Sequence, residues 1–118
     1  MTTIYGIKSC DTMKKAFTWL DTQQVSYDFH DYKKQGIDPD TVQRWLEKVD
    51  HRVLINRRGT TWRKLSDADK AACDSGDPAA IAQVAAASTS VIKRPVVDTG
   101  QQLLVGFDAA QWADHFSQ

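Results

Sequence analysis

The chain lacks most of the features that mark secreted, membrane-embedded or metal-stabilised proteins. It has two cysteines, Cys10 and Cys73, in 118 residues. Two thiols so far apart make a poor disulfide framework, and the expectation is a cytoplasmic protein with both reduced. No apolar run approaches the roughly 20 residues that a bilayer span needs, so no membrane association is expected. Met1 to Ile7 holds no charged segment followed by an apolar stretch, and no secretory signal is read there. Lys plus Arg number 15 and Asp plus Glu number 15, for a net charge of zero. A domain that grips nucleic acid needs a basic excess or stripe, and no nucleic-acid partner is expected. His30, His51 and His115 have no ligand spacing relative to one another or to the cysteines, which predicts no metal site. No glycine-rich phosphate loop is present to hold a nucleotide, and no Ser-His-Asp arrangement is legible.

What is present fits one globular domain over residues 1–118, with 42% apolar and 25% charged residues. A chain of this length can bury enough apolar surface to fold without disulfides or metals. Thr2 to Ile7 reads as a strand, closed by Gly6 and the Lys8-Ser9 turn. After Cys10 the period changes: Met13, Ala16, Phe17 and Leu20 fall on one helical face. Val25, Tyr27 and Phe29 alternate with polar residues, as in a half-buried strand. Strand, helix and strand in that order predict a parallel pair with a right-handed crossover. Asp38-Pro39 starts a helix with Val42, Trp45, Leu46 and Val49 on its apolar face, and Val53 to Ile55 add a turn. Arg57 to Thr61 reads as a loop. Ser66 to Cys73 and Asp77-Pro78 to Ala87 are two further helices. Val96-Val97 and Leu103 to Val105 flank the turn Asp98-Thr99-Gly100, which predicts a hairpin. Asp108 caps a last helix with Ala109, Trp112, Ala113 and Phe116 on its face. No apolar seam is evident, and the expectation is a monomer.

Chemistry is most legible at Cys10, where a strand ends and a helix begins. The thiolate is the nucleophile, and the free N–H groups and dipole of a helix N-terminus favour it. That dipole contributes about 0.3–1 kcal/mol, against about 1.4 kcal/mol per pKa unit. A cation is therefore needed to bring the thiol below neutral. The available ones are Lys8, Lys14, Arg57, Arg58, Lys93 and Arg94, with Asp11 opposed to them. The competing reading makes Cys10 a small buried hydrophobe. Cys73 has Lys70 as its basic neighbour and reads as incidental. In Cys10-Asp11-Thr12-Met13 the fourth residue is no cysteine and cannot resolve a mixed disulfide. An adduct on Cys10 must then be released by an external thiol, of which glutathione is the abundant cytosolic one, or by a distant cysteine. A second constellation is basic: Arg57, Arg58, Arg63 and Lys64 around Gly59 to Trp62, and Lys93-Arg94 before Pro95. Guanidinium groups bind carboxylates and oxyanions in a bidentate way. A solvated charged loop is the plainer reading of any one of them. Trp19 lies off its helix face and is expected to be exposed.

Tyr5 to Cys10, the helix behind it, Asn56 to Leu65, Ile92 to Val96 and Leu104 to Phe107 together resemble the arsenate reductase/Spx family, in particular its YffB-like branch. The resemblance implies an α/β fold: a thioredoxin-like domain with a four-stranded mixed sheet and a helical insertion over about 38–88. It further implies a cis Pro95 facing Cys10, with Arg94 in the same cleft. Arsenate reductases of this family use the cysteine, three arginines and a histidine shortly before the cysteine. Cys10 and Arg94 match, and Arg57 or Arg58 fills the second arginine position. The third falls at Val105-Gly106, and the histidine position is Gly6. Spx-type regulators bind RNA polymerase and carry a second cysteine where this chain has Met13. The resemblance thus implies a glutathione-dependent thiol reductase with Cys10 as nucleophile. Its substrate is a disulfide-containing or glutathionylated molecule, and glutathione is the co-substrate. Lys8, Thr12, Arg57, Arg58, Arg94 and Pro95 are the expected binding residues. Arsenate reduction and Spx-like binding of RNA polymerase are the alternatives.

Overall fold

The computed structural model describes residues 2–116. These divide into two compact units: one comprises the residues up to Gln35 together with those from Arg94 on, the other runs from Gly36 to Lys93. The expected helical insertion falls within the second.

In the first unit the elements are β1 (Thr3–Gly6), α1 (Asp11–Thr22), β2 (Asp28–Asp31), α2 (Tyr32–Gln35), β3 (Val96–Asp98), β4 (Leu103–Val105) and α8 (Ala109–Phe116). The sheet order is β2-β1-β3-β4, with β1 parallel to β2 and antiparallel to β3, and β3 antiparallel to β4. This is the mixed four-stranded sheet of a thioredoxin-like fold. Register follows apolar alternation. Ile4 stands opposite Val97, and Val97 opposite Leu104. All three are buried in one cluster with Met13, Ala16 and Leu20 of α1 and Trp112 of α8. The neighbouring row, His30-Tyr5-Val96-Val105, alternates away from that cluster.

Three local features depart from the sequence reading. The second strand starts at Asp28, not Val25, although Val25, Tyr27 and Phe29 all pack half-buried on the cluster. The chain needs those residues first to close α1. Gln24 takes a left-handed φ of 57°, its N–H donates to the Asp21 carbonyl, and the Val25 N–H donates to that of Leu20. These two bonds are a Schellman termination with Gln in the place usually held by Gly. Trp19 is half-buried rather than exposed, with its ring edge-on to Trp112 and beside Phe116. In α8, Trp112 is buried, but Ala109 and Ala113 of the expected face are exposed.

In the second unit α3 (Pro39–Leu46), α4 (His51–Leu54), α5 (Thr60–Lys64), α6 (Asp67–Asp74) and α7 (Pro78–Ala87) follow one another. The caps expected from sequence form: Asp38 accepts from the Asp40 N–H at 2.9 Å and Asp77 from that of Ala79 at 3.2 Å. Helix α7 packs against α3 and α6, and Val42, Trp45, Cys73, Ile81, Ala82 and Ala85 are buried. The segment read as a loop from Arg57 to Thr61 turns helical at Thr60. Just before it, the Arg58 N–H donates to Asn56 Oδ1 at 3.0 Å, which turns the chain into Gly59, the residue preceding α5.

Relieving the strained termination of α1 is expected to stabilise the protein. Gln24→Gly should raise the unfolding free energy in urea by about 0.5–1 kcal/mol, net of the extra freedom glycine gives the unfolded chain.

Candidate functional site

Cys10 occupies the N-cap of α1 with an extended backbone (φ −94°, ψ 133°). Strand β1 carries the chain to this point, and burial of Met13, Ala16 and Leu20 fixes the helix that leaves it. The sulfur is half-buried. Its side chain makes no capping hydrogen bond, and the backbone N–H groups of Met13 and Thr12 favour its anion. Burial pushes the thiol up. The two N–H groups, the Arg94 charge and a hydrogen bond from the Arg94 guanidinium outweigh that, and the net result is a thiol below its ordinary value. The cations adjacent in sequence, Lys8 and Lys14, are not among the groups that lower it. Both are exposed. The cation that does is distant in sequence and arrives through the entry to β3.

Arg94 is half-buried and Pro95 is buried, joined by a cis peptide bond. The Pro95 carbonyl accepts from the Gly106 N–H at 2.8 Å, which ties the segment ahead of β3 to the end of β4. Thr12 contributes its backbone N–H, while its side chain is exposed.

Sequence reading missed two contributors. Met13 reads as core and is fully buried, but its N–H also serves the sulfur. Tyr32, the first residue of α2, is 4% exposed and faces the ring of Tyr5 at 6.4 Å. Its hydroxyl is buried and makes no hydrogen bond among the described residues. Burial and Tyr5 hold that phenol well above its ordinary range, against the pull of the Arg94 charge. No local signal could have revealed this, because Tyr32 follows a strand directly and lies in a helix of four residues.

The second unit separates Arg57 from Arg58. Arg57 is ion-paired to Asp74 at 2.7 Å, and its guanidinium stands 5.4 Å from the centre of the Trp62 ring. Arg58 makes no ion pair among the described residues. It lines a cavity of about 350 Å³ with Arg52, Ile55, Asn56, Arg57 and Lys93. Arg52 is itself held by Asp50 through two bonds of 3.1 and 2.9 Å. Arg58 and Lys93 are therefore the cations of this cavity without an acidic partner among the described residues. Cys73 is fully buried, and burial together with Asp74 and Asp69 pushes its thiol up. A buried thiol of that kind is a poor nucleophile. Among the described residues no group of three or more His, Cys, Asp or Glu is placed to hold a metal ion, and no helix is long and apolar enough to cross a membrane.

Comparison with known proteins places these features in a family context. Residues 5–115 match the model of the ArsC family. The solved YFFB (PA3664) protein is 47% identical, covers 97% of each chain and superposes with a TM-score of 0.89. An arsenate reductase (ArsC) related protein from Brucella melitensis is 44% identical over 99% of this chain and 95% of its own, with a TM-score of 0.72. An uncharacterized protein of Haemophilus influenzae is 35% identical over 99% of this chain and all of its own length.

The site predicts an alkylation profile for Cys10. A lowered thiol is ionised at lower pH than an ordinary one, so iodoacetamide should label Cys10 at neutral pH while Cys73 stays unlabelled in the folded protein. Arg94→Ala removes a favourable charge from the anion and should move the Cys10 profile to higher pH. The rate at neutral pH should fall several-fold and the two proteins should converge in alkali. Peptide mass spectrometry across a pH series checks this.

Proposed function

The chain belongs to the ArsC family, and we propose that it is a glutathione-dependent thiol reductase acting through the single cysteine Cys10. The observation that carries this reading is the half-buried sulfur at the start of α1, favoured as an anion by two N–H groups and by Arg94. Such a thiolate attacks disulfide sulfur. In the first step Cys10 attacks the glutathionyl sulfur of a mixed disulfide. A Cys10–glutathione disulfide forms, the substrate's S–S bond breaks, and the substrate leaves as a thiolate that takes a proton from water. In the second step a glutathione thiolate attacks the glutathionyl sulfur on Cys10. Glutathione disulfide leaves and the Cys10 thiolate is regenerated. Glutathione is oxidised and the substrate reduced, with no metal or nucleotide taking part.

Met13 supports this two-step course, since the turn after Cys10 offers no second thiol to intercept the adduct. Arg94 holds a carboxylate of the glutathionyl group and the backbone beside Pro95 pairs with its peptide, while the family resemblance makes one of the loop arginines a further binding residue. Between the two loop arginines, the ion pair of Arg57 with Asp74 favours Arg58 as the ligand-binding one. Lys8 and Thr12, both exposed, are further residues for contact with the substrate on this reading. Arsenate reduction draws less support: Arg94 is the cation that acts on the sulfur, and no guanidinium is available at Val105-Gly106. An RNA polymerase-binding regulator with a redox switch would need a second cysteine at position 13.

A coupled assay on a glutathionylated peptide tests the proposal. Turnover is expected to saturate with glutathione and to vanish in Cys10→Ser. Arg58→Ala should raise KM about tenfold, as expected for the loss of one charge-assisted hydrogen bond of about 1.5 kcal/mol. Absence of glutathione-dependent turnover, with equal capture of RNA polymerase by the wild type and Cys10→Ser, would overturn it in favour of a regulator.

A further inference from the structure

Gly6 ends β1, four residues before Cys10, and its backbone is not in the left-handed region that favours glycine. The chain conformation therefore does not require glycine there. The space does. A Cβ built on Gly6 would overlap the Met13 sulfur, lie 2.6 Å from Met13 Cε and 3.4 Å from its Cγ. The side chain of Met13 thus sits on the bare backbone of Gly6, while the N–H of the same residue serves the Cys10 sulfur.

A methionine is flexible and in an open setting would swing away from such a clash. Met13 has no such freedom: it is fully buried in the cluster of Ile4, Ala16, Leu20, Val97, Leu104 and Trp112. Close-packed interiors leave no void for a displaced thioether. A Cβ at position 6 would instead push on the first turn of α1, which carries the Thr12 and Met13 N–H groups.

We propose that Gly6 is a positioning residue for Cys10: its missing side chain lets Met13 seat against β1, and that seat aims the first N–H groups of α1 at the sulfur. This rests on the reading of Cys10 as an activated thiolate. It makes positions 6 and 13 a coupled pair, in which a side chain added at position 6 matters only while Met13 fills the seat.

The test compares Gly6→Ala, Met13→Ala and the double variant by the pH dependence of Cys10 alkylation, read on the Cys10 peptide. Misaimed N–H groups forfeit much of a helix-end contribution of 0.3–1 kcal/mol, so Gly6→Ala is expected to slow alkylation at neutral pH about two- to fivefold and to move the profile upward. Added to Met13→Ala, the same substitution should change nothing further. Wild-type-like alkylation by a folded Gly6→Ala protein overturns the proposal and leaves the thiolate reading intact. A wild-type Cys10 that titrates at or above the ordinary thiol value overturns both. Should Gly6→Ala fail to fold, Met13→Ala decides alone. Loss of its seat on β1 should also slow Cys10, and an unchanged rate overturns the proposal.

Discussion

A thiol held below its ordinary value in a half-buried position needs surroundings that favour its anion, and Cys10 finds them within the first unit. Burial alone would make Cys10 a poorer acid than a free thiol. The compensation comes from two sources of different kinds. The Thr12 and Met13 N–H groups belong to the backbone and cost nothing to bring together once α1 forms, because a helix leaves its first N–H groups without internal partners. Arg94 is a full charge on a long side chain, brought to the sulfur by the sheet, where β3 pairs with β1 and follows Arg94-Pro95 directly. The core cluster fixes both: Ile4 and Val97 hold the strands in register, while Met13, Ala16 and Leu20 hold the helix.

In the second unit two of the arginines around the cavity are already ion-paired. Arg57 is bound to Asp74 and Arg52 to Asp50. Ion pairs between exposed side chains stabilise little, but they do decide which cations remain for a ligand. Arg58 has its backbone N–H committed to Asn56 and its guanidinium left without an acidic partner among the described residues. A net charge of zero for the whole chain therefore coexists with local cationic positions. Zero net charge is compatible with recognition of a small anion at such positions.

Much of this was legible in the residues. The helix after Cys10 followed from the spacing of Met13, Ala16 and Leu20, the hairpin from Asp98-Thr99-Gly100, and α3 and α7 from Asp-Pro caps. In each case the deciding interaction lies within a few positions in sequence. The misses share the opposite property. The left-handed Gln24 is imposed by the need to bring Val25 onto the core, and glutamine carries no signal for it. Helix α5 begins among Gly59, Thr60 and Thr61, residues that weigh against a helix on propensity. Tyr32 is buried by its tertiary surroundings rather than by any local pattern. At the candidate site, the strand-to-helix junction pointed to Cys10, whereas the place of Arg94 beside it came from the family resemblance and not from a local pattern. The difference between Arg57 and Arg58 depends on Asp74 and Trp62, and no reading of adjacent residues could supply it.

The two sources acting on Cys10 differ in how they respond to a ligand. Backbone N–H groups are fixed dipoles, and they remain aimed at the sulfur whether it is a thiolate or part of a disulfide. Arg94 is a side chain whose hydrogen bond to the anion loses its charge-assisted character once the sulfur becomes neutral in a mixed disulfide. On the proposed course, formation of the Cys10–glutathione bond thus frees the Arg94 guanidinium at the moment a carboxylate-bearing group arrives. A single arginine can then serve the resting thiolate and the bound adduct in turn. The fixed N–H pair preserves the preference for thiolate as leaving group when glutathione attacks. On the proposed course one cation and one helix end at the sulfur itself suffice, because no more than one sulfur there needs to be anionic at a time. An oxyanion substrate carries its own charge into the site alongside the thiolate and has to be met by further cations at the same moment.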